Sequence, residues 1–163
     1  MQPDDPAAFE LPLGDQFTVF LNQHRDMLLD CLDGLSEDEA RMALVPSKTT
    51  LLGLVKHAAF AEGVWFGEAV TGQSRAELGL AEGPDESFDL DDGDTIESVR
   101  AAYRSAVEHS RQVGASLALD DVLTGNRRGP IPVGWMLLHM LRELAQHCGH
   151  AEILREQILA TRA

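Results

Sequence analysis

From Trp135 to Glu156 the chain reads WMLLHMLRELAQHCGHAEILRE, and the apolar residues of this stretch recur at helical spacing. A long helix here is the strongest constraint on the fold. At about 100° per residue, with His139 as origin, His150 falls at about 20°, Glu143 at about 40° and His147 at about 80°. All four therefore point from one stripe. Glu143 and His147 are four residues apart, one turn over the other, with both side chains free to close on a single metal ion. Leu137, Met140, Leu141, Leu144, Cys148 and Ile158 gather between roughly 100° and 200°, so the polar stripe borders a core and does not face open water.

At 163 residues the chain is long enough to bury a sizeable core and is expected to form one domain, residues 1–163, with no apolar run that could cross a membrane. The N-terminal MQPDDPAAFELP lacks the basic start and apolar stretch of a secretory signal, which points to the cytoplasm. Cys31 and Cys148 are too few and too distant for a disulfide framework, and both fall in helical patterns where a free thiol packs. A net charge of −14 argues against a surface for nucleic acid or anionic lipid, because phosphate binding needs clustered Lys and Arg. Only Lys48 and Lys56 among the 13 basic residues are lysines, and alanine and glycine are abundant, as in GC-rich genomes.

Four helical stretches and no convincing strand pattern emerge along the chain. The first runs from Gly14 to Leu32 with Phe17, Phe20, Leu21, His24 and Leu28 at helical spacing. Ser36 and Glu39 have the spacing of a capping box for a short turn to Met42. The second stretch starts near Thr49 or Thr50 and ends near Gly72. Residues 82–97 hold eight acidic side chains and no basic one, with Gly83, Pro84 and Gly93 interspersed, and read as a long solvated acidic loop. An EF-hand is rejected there because the glycine is misplaced and no helix pair brackets it. The third stretch runs from Asp94, paired with Glu97 as a cap, to about Leu117. The fourth follows the turn signals Gly125, Asn126 and Gly129-Pro130, with Pro132 acceptable in its first turn. The expected architecture is an all-α four-helix bundle with the acidic loop between helices two and three.

His57 lies with Thr50, Leu54, Ala61, Val64 and Trp65 on the expected buried side of the second helix, while Lys56 and Glu62 are expected to look outward. Each candidate has a plain structural explanation: a hydrogen-bonded core histidine for His57, a salt bridge for Glu143, a surface imidazole for His147 or His150. A carboxylate beside a core, however, must be paired or bound to a cation. Two imidazoles and a carboxylate on converging faces have the composition of a metal site.

The segments PSKTTLLGLVKHAAFAEGVWF at 46–66 and PVGWMLLHMLRELAQHCGHAEILREQI at 132–158 resemble the DinB-like metal-binding four-helix bundles, within them the branch related to the N-terminal domain of mycothiol-dependent maleylpyruvate isomerase. The resemblance implies a divalent metal held by His57, Glu143 and His147. The glutamate is what the mycothiol-linked branch shows where many DinB-like proteins have histidine. His139 and His150 are not ligand positions in it and are expected beside the metal or in the pocket. Arg127 and Arg128, before the fourth helix, are expected with His150 to bind the cofactor, the arginines through a carboxylate of thiol or substrate. Zinc is the expected ion, with nickel, manganese or iron also accepted by this ligand set. A small thiol of the mycothiol type is the implied cofactor, an electrophile its partner, and transfer or isomerisation the implied reaction. Homodimer formation is a further expectation. The rival readings are a stress-associated metal-binding protein without turnover and a plain helical dimerisation module.

Overall fold

The helical periodicity of the sequence is realised as four long helical runs that enclose one another's apolar faces. The computed structural model describes residues 1–162. Its elements are α1 (Pro6–Phe9), α2 (Leu13–Asp30), α3 (Glu37–Ala40), α4 (Leu51–Glu62), a π-helical segment (Gly63–Glu68), α5 (Ala69–Thr71), a 3-10 turn (Glu86–Phe88), α6 (Ile96–Gly114), β1 (Val122–Leu123), β2 (Ile131–Pro132) and α7 (Val133–Ala160). The architecture is an all-α four-helix bundle in which α2 packs along α7, α4 along α6, and α4 also meets α7. None of the described helices is long and apolar enough to cross a membrane.

Two of these helices are amphipathic and one is not. α2 buries Phe17, Leu21, Arg25 and Leu28, and α6 buries Val99, Tyr103, Val107 and Ser110, each set repeating at three or four residues. α4 is buried almost all round, from Leu51 through Glu62, with only Lys56 and Ala59 partly exposed. It is the inner helix, capped by Thr50, whose hydroxyl accepts from Gly53 N. α7 buries Met136, Met140, Leu144, Cys148, Ala151, Leu154 and Ile158, and the expected Leu137 and Leu141 pack on the core while partly exposed.

Several boundaries differ from the sequence reading. The second stretch stays helical to Thr71 but widens into a π segment at Gly63–Glu68 before Gly72, at φ 74°, stops it in the left-handed conformation. The third helix is capped by Thr95 and Ser98, not by Asp94 and Glu97, because the Asp94 carboxylate is taken by Lys56 Nζ at 2.6 Å and Asp91 N at 2.8 Å. It ends at Gly114, short of Leu117. Ser36 and Glu39 form the expected capping box. The antiparallel pairing Val122↔Pro132 and Leu123↔Ile131 was not expected, since two-residue strands carry no alternation to read.

The turn after β1 lies on the end of the second helical run. Gly125 N donates to Ala69 O at 3.1 Å, and a Cβ at Gly125 would stand 2.6 Å from Gly72 N. Only glycine permits that approach. The contact seats Arg127 against Glu68, with Asn126 and Arg128 of the same turn in the wall of one cavity with it.

Candidate metal centre

The buried face of α4 and the polar stripe of α7 meet at His57, Glu143 and His147. One ligand atom from each lies within 4.8 Å of the other two, the only such group of three among the described residues. Glu143 and His147 are held by helix geometry alone, one turn apart, with His147 Nε2 at 3.2 Å from Glu143 Oε1. His57 comes from across the bundle, its Nε2 at 3.4 Å from the same oxygen. The side chains are 5%, 24% and 12% exposed, so the group borders the core as the stripe implied.

The residues around His57 decide which nitrogen carries its proton. Ser87 Oγ donates to Pro84 O at 2.7 Å, so its remaining role toward His57 Nδ1, also at 2.7 Å, is to accept. Nδ1 therefore bears a hydrogen. Nε2 then faces the Glu143 oxygen either as a lone pair, which a bound divalent ion would satisfy, or as the second N–H of a protonated ring, which donates to it. Phe88 stacks on the imidazole at 4.1 Å and 12°, fixing its plane. His147 Nδ1 is buried without a hydrogen-bond partner. Hydrogen bonding by His147, and next by His57, holds the Glu143 carboxyl well below the usual carboxylate range, against the opposing effect of burial. The donor set thus has two imidazole nitrogens and a carboxylate oxygen converging where positive charge is demanded, and it fits a divalent ion.

A cavity of about 300 Å³ opens beside the group, with His57 and Glu143 in its wall. Four arginines line it: Arg75, Arg127, Arg128 and Arg142. The buried Glu68 carboxylate accepts from Arg75 Nε at 2.8 Å and from Arg127 Nε at 2.7 Å. Arg142 donates to His139 Nδ1 at 3.1 Å and stands 3.9 Å from Glu143 Oε2. In a chain of net charge −14, this is a local excess of positive charge.

The remaining sequence candidates divide. His139 lines the cavity between Trp135 and Trp65, at ring distances of 5.3 and 4.5 Å, and its Nε2 is 4.0 Å from Glu143 Oε2. Burial lowers its pKa, favouring the neutral ring. Arg127 and Arg128 reach the same cavity, whereas His150 does not. His150 packs edge-on against His147 at 5.7 Å and lines a separate shallow recess with Val45 and Ile153. Cys31 and Cys148 are buried free thiols, both pushed up to about 12 by burial, so neither supplies a thiolate.

Sequence reasoning missed Ser87, Phe88, Glu68, Arg75 and Arg142. Phe88 is the one aromatic in the acidic run 82–97, and that is the only signal that this stretch docks a turn on α4. The run is not solvated throughout, since Ser87 is buried. Glu62, expected to face outward, is wholly buried and pairs with Arg25 through Nε at 2.7 Å and Nη2 at 2.8 Å. The reason is that α4 has no outward face at that position.

A family model described as mycothiol-S-transferase matches residues 16–160. Among solved structures, a conserved protein from Enterococcus faecalis superposes with a TM-score of 0.63 at 15% identity, covering 92% of this chain and 99% of that one. A histidine-to-alanine variant of the mycothiol-dependent maleylpyruvate isomerase superposes with a TM-score of 0.61 at 16% identity, over 86% of this chain. The chain spans 61% of that isomerase's length. No curated protein matches. At these identities the structural likeness shows the fold alone.

Proposed function

Because the chain belongs to the mycothiol-S-transferase family, we propose that it is a divalent-metal-dependent enzyme that uses a low-molecular-weight thiol of the mycothiol type in a transfer or isomerisation reaction. The observation that carries the metal part is the convergence of His57, Glu143 and His147 beside an open cavity. Two neutral imidazoles and one carboxylate leave about +1 on a divalent ion and an open coordination position, the pattern of a catalytic site. Zinc is the ion we assign, with nickel, manganese and iron chemically acceptable. An ion held there lowers the pKa of a thiol and so supplies a thiolate at neutral pH.

The chain's own residues do the rest. Ser87 and Phe88 fix the His57 ring so that Nε2 faces the cavity side. Arg127 and Arg128 bring positive charge to the cavity, with Arg75 and Arg142 beside them, and bind an anionic group of the thiol or the electrophile. Trp65 and Trp135 flank the His139 ring and hold it in the cavity wall. This reading takes the chain as one helical domain working in the cytoplasm, where small thiols stay reduced.

Cobalt substitution followed by titration with mycothiol tests the reading. A sulfur-to-cobalt charge-transfer band, saturating with thiol, is expected. Its absence with mycothiol and with other small thiols would favour a metal-binding protein without turnover. Ser87→Ala is expected to weaken metal affinity roughly 10- to 100-fold, as loss of a group orienting a ligand histidine does; competition against a chromophoric chelator measures it.

A further inference from the structure

We propose that the cavity between α2, α6 and the start of α7 is a second binding site, one that takes an uncharged, largely apolar small molecule bearing a hydrogen-bonding oxygen. The cavity measures about 610 Å³ and shares no lining residue with the cavity beside the metal-binding group. Its size lies in the roughly 300–1,000 Å³ range of small-molecule sites. The inference does not rest on the metal or thiol reading.

Its inner wall is apolar, with Leu21, Phe66 and Met136 buried in it, while the exposed Asp15, Thr18 and Arg111 complete the lining and contribute one charge of each sign. Two buried polar groups lie in the inner wall. Ser110 is 1% exposed and its Oγ has no hydrogen-bond partner. Arg25 is 3% exposed, and its guanidinium lies 5.6 Å from the centre of the Phe66 ring. A desolvated hydroxyl without a partner is costly, and an oxygen brought against it recovers that cost. Arg25 sets the charge of the occupant. Its guanidinium is already matched by the bidentate Glu62 carboxylate, so the buried wall carries no net charge. A second carboxylate placed there would be an uncompensated buried anion. A ketone, ester or alcohol oxygen meets the Ser110 hydroxyl without that penalty, while the hydrocarbon body replaces water against the leucines and Phe66.

Calorimetric titration of the 163-residue chain with 2-octanone and with octanoate decides the matter. Saturable binding of 2-octanone is expected, with octanoate at least about ten-fold weaker because its charge must be buried. Ser110→Ala should weaken 2-octanone binding roughly five-fold, the effect of one neutral hydrogen bond. Ala118→Trp, at an exposed lining position, should abolish it. Absence of saturable binding would overturn the proposal, as would octanoate binding as tightly as the ketone. Binding that survives both substitutions would place the ligand elsewhere and overturn it equally.

Discussion

Replacing His57 and His147 together by alanine is expected to abolish retention of a divalent ion, leaving near-zero metal content where the wild-type chain carries about one equivalent. Elemental analysis of protein purified without a histidine tag measures this directly. The same pair of proteins separates a bound ion from an idle cluster by stability. A ligand that binds only the folded state raises stability by RT ln(1 + [L]/Kd), which is about 4 kcal/mol when free zinc exceeds Kd a thousand-fold. That increment should appear in the wild type and vanish in the variant. The metal-dependent increment is the quantity to compare, because His57 also stacks on Phe88 and its loss costs packing in either state. An unchanged increment would remove the metal centre from these residues, and with it the open position on which the thiol chemistry depends.

The second large effect lies in the core. Glu62→Ala leaves the Arg25 guanidinium buried with no counter-charge except the partial dipole of Asn22, whose Oδ1 sits 3.3 Å from Nη1. Breaking such a pair from one side costs about 3–5 kcal/mol, a large share of a single domain's stability. Urea unfolding should show the loss as a lowered midpoint with little change in slope. The double variant Arg25→Met, Glu62→Met should recover most of it, since two apolar side chains of similar volume restore packing without a lone charge. If the double variant is no better than Glu62→Ala, the pair contributes something other than mutual neutralisation. Its position makes that outcome informative, because Glu62 is the last residue of α4 before the π segment that carries Trp65 and Glu68 into the cavity wall.

The long helix α7 and its inward polar stripe were legible from residue order, and so were the Ser36–Glu39 capping box and the burial of Cys148. All three depend on interactions within a few residues, where a 3.6-residue turn dictates who meets whom. The Glu143 and His147 half of the candidate centre belongs to this class. His57 is different. Its buried face could be read from the spacing of Leu54, Ala61 and Val64, but its meeting with Glu143 spans 86 residues and needed the resemblance to known bundles before it could be expected.

What sequence alone determined was therefore local: which stretches are helical and which faces of the outer helices are apolar. Packing decided the rest. Glu62 turned inward because α4 is enclosed all round at its last turn, so the direction that periodicity assigns to water meets Arg25 instead. Ser87 and Phe88 reached His57 because a turn in an acidic run folds back on α4, and Glu68, already paired with Arg75 seven residues on, also gained Arg127 because Gly125 lets a distant turn approach the helix end. His150 shares a helical stripe with Glu143 yet looks into another recess, because seven residues along α7 its neighbours come from the 45–49 segment and not from the turn that holds the arginines. Periodicity encodes direction about one helix axis. Distances between axes are set by the whole set of side chains that fill the space between them, and no single stretch of the chain contains that information.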